Sequence, residues 1–190
     1  MSERACLASG RVRQSPFVRF RSSLGGASGG IRGCGAIRPL EVTALDSGRV
    51  RLTTAATLRC PMVPALDKWT RSIVAPAAIR HLGSPVERIR VIASYACRPI
   101  NSKRGNKLSE HGRANAIDIS AFELRDGRVI TLKRGWRGRR GEAMFLRALH
   151  RGACKYFTTV LGPNANRYHH DHFHFDLARH GRSGTYRVCR

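Results

Sequence analysis

Ser109-Glu-His-Gly-Arg-Ala-Asn-Ala-Ile-Asp-Ile-Ser120 and His170-Asp-His-Phe-His-Phe-Asp176 are the two stretches on which the fold turns. Side chains alternate along a strand, so each stretch reads as a strand with two unlike faces. In the first, Ile117 and Ile119 share one face, and Ala116, Asp118 and Ser120 share the other. In the second, Phe173, Phe175 and Leu177 oppose His172, His174 and Asp176. The apolar faces are what a sheet buries; the polar faces are what it offers to a metal. If the strands pair, Asp118 meets the His172/His174 pair, and His111 closes the site from the turn before the first strand. Two His and one Asp suit Zn²⁺ and leave a fourth position for water, the arrangement of a catalytic zinc rather than a structural one. H-x-H or H-x6-D alone carries little; their combination on strands with clean apolar faces carries the reading.

Outward from these strands, the chain reads as alternating short elements. Leu40–Leu45 and Val50–Thr53 flank Asp46-Ser-Gly48 as a hairpin. From Pro61 to Leu82 the apolar positions Val63, Leu66, Trp69, Ile73 and Val74 have helical spacing, with Pro76 expected to kink or divide the helix. Trp69 is expected in the core, and His81 at the helix end has no assigned role. Val86–Tyr95 is a strand that delivers Arg98 at its end, where a rigid scaffold presents chemistry to a loop. There Arg98 can hold a carboxylate with its planar fork or stabilise an oxyanion. Asp126-Gly127 marks a second hairpin. Lys133–Arg140 is a basic run around Trp136, expected as a solvated loop, with base or sugar stacking as its alternative. Glu142–Phe157 is a helix with Phe145, Leu146, Leu149 and Ala153 inward and His150 structural. Phe157–Leu161 is a further strand, ended by Gly162-Pro163. His169 and His170 flank the site without a needed ligand slot, His170 being the better outer-shell candidate. Asp176 has the parity to orient a ligand histidine.

The 190 residues suit one domain with a proper core, and the 42% hydrophobic fraction excludes a disordered chain. The formal charge of +23 points to an anionic partner: nucleic acid, a membrane surface or an acidic wall polymer. Lysine occurs only at 68, 103, 107, 133 and 155, so the charge is carried by arginine. Residues 1–33, Gly/Ser/Arg-rich from position 8, read as a flexible N-terminal arm, leaving 34–190 as the folded domain. The six cysteines, at 6, 34, 60, 97, 154 and 189, form no C-x-x-C and suit disulfides in an oxidising compartment. Spacing leaves the pairing open; the expectation is Cys154–Cys189, with Cys6–Cys34 and Cys60–Cys97. No apolar run is long enough for a transmembrane helix, and none near Met1 makes a signal peptide, so an exported protein needs a leader upstream.

Ser109-x-His111 with Ala116 and Asp118, followed by His172-x-His174, resembles the zinc site of the LAS metallopeptidases. These include D-Ala-D-Ala carboxypeptidases and murein endopeptidases and share their fold with the hedgehog signalling domain. Cys34-Gly, Ser94-Tyr-Ala-Cys-Arg98, Leu108-Ser-Glu-His111, Ala153-Cys154, Thr159-Val-Leu-Gly-Pro163 and Tyr186-Arg-Val-Cys-Arg190 more closely resemble the bacterial extensin-like C-terminal domain family, over most of the chain. The resemblance implies an α+β domain, an antiparallel sheet with flanking helices, hedgehog/D,D-peptidase-like. It implies His111, Asp118 and His174 as metal ligands, His172 as acid/base beside the metal, and Arg98 on the substrate carbonyl. Where the LAS pattern often has Gly, Ala114 stands; the residue is small, and little change is expected. Together these imply a zinc peptidase acting on peptidoglycan peptides in the periplasm or cell envelope. The alternatives are a non-catalytic zinc-containing cell-wall binding module and, further off, a basic nucleic-acid-binding protein.

Overall fold

The structure is a computed structural model that describes residues 2–10, 12–22 and 33–190. The expected hairpin forms: β2 (Leu40–Leu45) and β3 (Val50–Leu58) pair antiparallel around a turn in which Asp46, Ser47 and Gly48 all take positive φ. β4 (Val86–Ala93) joins β3 in parallel, Leu52 facing Ile89. β5 (Ala116–Leu124) then runs antiparallel to β4. Along its other edge, β5 pairs first with β8 (Phe173–Asp176) and then with β6 (Val129–Thr131). β7 (Thr159–Leu161) and β9 (Val188–Cys189) complete that side; β1 (Val18–Phe20) edges the other. The sheet is mostly antiparallel; β3 with β4 and β7 with β9 are parallel.

Helices cover one face. α2 (Met62–Trp69) and α3 (Ala75–Leu82) are joined by a π-helical turn, Thr70–Val74, rather than a break. Pro76 has no N–H to continue the ladder, and its ring crowds the preceding turn. The wider turn, with the Ala75 N–H bonded to the Thr70 carbonyl, accommodates the ring while the helix continues. α5 (Arg140–Ala153) packs beside it, with Phe145, Leu146, Leu149 and Ala153 fully buried as expected. Trp69 is in the core, its Nε1 donating to the Leu149 carbonyl at 3.1 Å. Its ring meets Phe175 edge-on at 5.2 Å, so the helix and the strand that carries His174 share one aromatic cluster.

The basic run at 133–140 differs from the expectation. A short helix, α4 (Leu132–Gly135), turns Trp136 inward, where it is 7% exposed and donates Nε1–H to Asn164 Oδ1 at 3.0 Å. An indole that finds a hydrogen-bond partner inside gains more from burial than from a solvated loop, so Trp136 is unavailable for stacking on a ligand.

The disulfides are Cys6–Cys60, Cys34–Cys97 and Cys154–Cys189. The C-terminal pair is as expected; Cys6–Cys34 and Cys60–Cys97 are not formed. A crosslink needs its Cα atoms within about 7 Å, and sheet topology sets that neighbourhood. In the stretch read as an arm, α1 (Glu3–Ala8) buries Cys6 against the end of β3, and β1 pairs with β2, Val18 facing Val42. The glycine-rich run at 25–30 lies outside the described residues.

Gly152 shows how tightly α5 sits: a Cβ there would run into the Ile73 side chain. Gly152→Val is expected to cost about 1–3 kcal/mol by overpacking, read as a fall of several degrees in Tm. Ile73→Ala in the same chain should recover part of that loss.

Candidate metal centre

The β5–β8 register sets Asp118 directly opposite His174, with Ile117 opposite Phe175. Cross-strand partners point to the same face, so the carboxylate and imidazole meet on the side away from the helices. Asp118 Oδ1 and His174 Nδ1 are 2.9 Å apart. His111 enters from a 3-10 turn, Glu110–Arg113, whose first residues are capped by the Ser109 hydroxyl accepting from the His111 N–H at 3.3 Å. Its Nε2 lies 3.2 Å from His174 Nδ1 and 3.1 Å from Asp118 Oδ2. All three ligand atoms lie within 4.8 Å of one another, and His111 and Asp118 are buried. A buried His-Asp-His triad of this kind can hold a metal ion.

The outer contacts decide which ring nitrogens face inward. His111 Nδ1 is 2.7 Å from the Ser94 carbonyl, which only accepts, so Nδ1 carries the proton and Nε2 presents a lone pair. His174 Nε2 is 2.9 Å from Asp176 Oδ2, so by the same argument Nδ1 faces inward as an acceptor. Two lone pairs and a carboxylate therefore converge, and only a cation or a proton reconciles them. Without metal the proton takes that place. Burial alone would lower the His174 pKa, but hydrogen bonds to Asp118 and Asp176 outweigh it and raise it to about 9. Burial alone would raise the Asp118 carboxyl; its close contacts with the His111 and His174 rings outweigh it and hold that group well below the usual carboxylate range.

The triad floors a cleft of about 1160 Å³ whose walls carry Arg59, Arg98, Lys107, Arg113 and Arg179. Arg98 follows β4, and its loop is stitched to the metal turn: the Arg98 carbonyl accepts from Ser109 N at 3.1 Å, and the His111 carbonyl from Ala96 N at 3.2 Å. His172 stands beside the triad rather than in it. Its Nδ1 is 2.9 Å from Asp171 Oδ1 and its Nε2 3.9 Å from Asp118 Oδ1. Asp176, buried, orients His174 and also accepts from Ala178 N at 2.9 Å. His150 is outside the cleft, bonded to the Arg190 carbonyl.

Two features escaped the sequence reading. His169 lines the cleft, its ring 5.1 Å from that of His172 and 5.7 Å from that of His174. Burial, and then the charge of His174 and His172, lower its pKa to about 4, so it stays neutral. His170 instead faces solvent, with Nδ1 2.9 Å from the Arg167 carbonyl. Both lie in an irregular turn, where no periodicity separates them. The second feature is Ala114, with φ +51° at the end of the metal turn. Glycine suits this position because of its backbone, not its size, and alanine there carries strain of roughly 1–2 kcal/mol.

The metal-free site sets a pH dependence. His174 is raised, so its contribution to stability is complete below its ordinary value of 6.5 and is lost as pH rises through about 9. Asp118 is depressed, so its contribution is present above 3.8 and lost on further acidification. Thermal melts of the metal-free protein from pH 6 to 10 should show Tm falling on the alkaline side. In His174→Ala that fall should be reduced.

No curated protein and no solved structure matches the chain. The family model of the extensin-like protein C-terminus matches residues 4–190, spanning the His-Asp-His triad, the cleft and all three disulfides, and the chain therefore belongs to that family.

Proposed function

We propose that the chain is a zinc-dependent peptidase acting on peptidoglycan peptides, of D,D-carboxypeptidase or endopeptidase type. The observation that carries this reading is the set of inward-facing acceptors on His111, Asp118 and His174 at the floor of an open, cationic cleft. Two imidazole nitrogens and one carboxylate are the donors zinc takes in catalytic sites. When bound, zinc supplies Lewis acidity that polarises a carbonyl and makes water acidic enough to act near neutral pH.

The protein's own groups supply the rest. The Asp171 carboxylate accepts the Nδ1–H of His172, which fixes the ring and leaves Nε2 toward the cleft as a proton acceptor. Arg98, on the wall, anchors a carbonyl or carboxylate of the peptide. Asp176 and the Ser94 carbonyl hold the two ligand rings in their tautomers. The residues shared with the LAS metallopeptidases and the mixed α/β architecture with a mostly antiparallel sheet support a hedgehog/D,D-peptidase-like fold. Three disulfides support a periplasmic or envelope location. No helix among the described residues is long and apolar enough to cross a membrane.

One observation favours the second reading, a non-catalytic zinc-containing wall-binding module. Glu110, the glutamate that precedes a ligand, is engaged by Asn115 Nδ2 and lies 3.6 Å from Arg113, so it is not placed as a base.

Digestion of crosslinked peptidoglycan by the zinc-loaded, oxidised protein separates the two. Loss of crosslinked dimers or of terminal D-Ala, absent with His174→Ala, is the expected result. Stoichiometric zinc with unchanged muropeptides would sink the peptidase and leave the binding module. A second test concerns Asp176→Asn, which should weaken zinc binding about 10- to 100-fold in competition titrations without unfolding the chain.

A further inference from the structure

Arg59 is one of the cleft-wall cations that the site chemistry leaves unused, and the one with a buried, unpartnered guanidinium nitrogen among the described residues. It follows β3, its N–H donates to the Ala114 carbonyl at 2.8 Å, and the next residue is crosslinked to Cys6. Its backbone is thus fixed on both sides. Its Nε is sealed from solvent with no hydrogen-bond partner, and among the described residues no ion pair reaches its guanidinium. Arg59 itself lines the cleft. Burial lowers its pKa, opposed chiefly by Glu110 and then Glu3.

The neighbouring acids are already engaged. Glu110 is held by Asn115 Nδ2, with Arg113 at 3.6 Å. Glu3 accepts from the Arg38 N–H at 3.0 Å. Asp176 is bonded to His174 and Ala178. A half-buried guanidinium that feels acids only at a distance, with no direct hydrogen bond or ion pair, is under-satisfied, and its planar fork matches a carboxylate. Arg59 and Arg98 also follow neighbouring parallel strands, β3 and β4, and so enter the cleft from the same end of the sheet.

We propose that Arg59 is a ligand-binding residue that takes a carboxylate of the bound peptide, so that the cleft selects acidic peptides over their amidated forms. The inference rests on the reading of the cleft as a peptide site, but not on cleavage. The carboxylate displaces no direct partner, because among the described residues no hydrogen bond or ion pair holds the Arg59 guanidinium.

The test is equilibrium binding to the metal-free, oxidised protein. The probes are the stem peptide L-Ala-γ-D-Glu-L-Lys-D-Ala-D-Ala and the same peptide with the D-Glu α-carboxyl and the C-terminus both amidated. Wild type should bind the acid form about ten- to a hundredfold more tightly, the range of a charge-assisted pair. Arg59→Gln should lose most of that preference, and Arg59→Lys, which keeps the charge without the fork, should retain part. Melting curves establish that each variant is folded. A preference undiminished in both variants, or no preference in wild type, overturns the inference. Hydrolysis by the zinc-loaded protein is scored separately. Preference without hydrolysis fails only the peptidase reading; hydrolysis without preference fails only this one.

Discussion

The cross-strand pairing of Asp118 with His174 is the constraint on which the remainder of the molecule depends. A slip of one residue between β5 and β8 would send Asp118 and His174 into the helix-covered face and expose Ile117 and Phe175. The aromatic cluster under the helices therefore fixes the position of Asp118 and His174 without touching them. Trp69, Phe157 and Phe173 pack on Phe175, and Phe175 opposes Ile117. Packing on one face specifies chemistry on the other, and neither face can be moved alone.

That coupling explains what the sequence made legible. Period-two alternation is local, so the faces of β5 and β8, the convergence of Asp118 with His174, and the supporting place of Asp176 could all be read from it. Helical spacing likewise located Trp69, Phe145 and Leu149. Pro76 was legible as an interruption but not in kind, because a π-helical turn leaves no separate mark in the pattern. The disulfide partners were hidden for a different reason. Cys6 and Cys60 meet because α1 lies against the end of β3, and only the assembled sheet brings those segments together. Trp136 was misplaced because a run of arginines around it masked an inward turn. His169 and His170 are adjacent and chemically identical, and the irregular backbone alone separates the one in the cleft from the one in water.

The charge balance has a corresponding structure. Acidic groups on the surface are largely taken: Glu123 by Arg88 and Arg90, Asp67 by Arg71, Asp126 by Arg128. Exposed pairs of this sort contribute little stability, but they occupy acids that would otherwise offset the cations of the cleft wall, where Arg113 alone has an ion-pair partner among the described residues, Glu110 at 3.6 Å. The +23 excess is thus expressed in part where a ligand would lie, around a floor that is itself acidic at Asp118 and Asp176. Such a cleft discriminates by position: a cation is drawn to the floor and an anion to the walls.

The Cys34–Cys97 bond lies where both halves of the cleft can feel it. Cys97 immediately precedes Arg98, and Cys34 Sγ would stand 3.3 Å from a Cβ on Gly112, the residue after His111. Gly35 N also donates to the Gly112 carbonyl at 2.7 Å. One covalent link thus braces the wall that carries Arg98 and the turn that carries His111. Opening it would return about 4 kcal/mol of loop entropy to the unfolded chain and slacken both together. The bond thus ties the placement of the triad to the redox state of a pair of cysteines that are not members of it, and a reducing environment would loosen the cleft floor and wall without touching His111, Asp118 or His174.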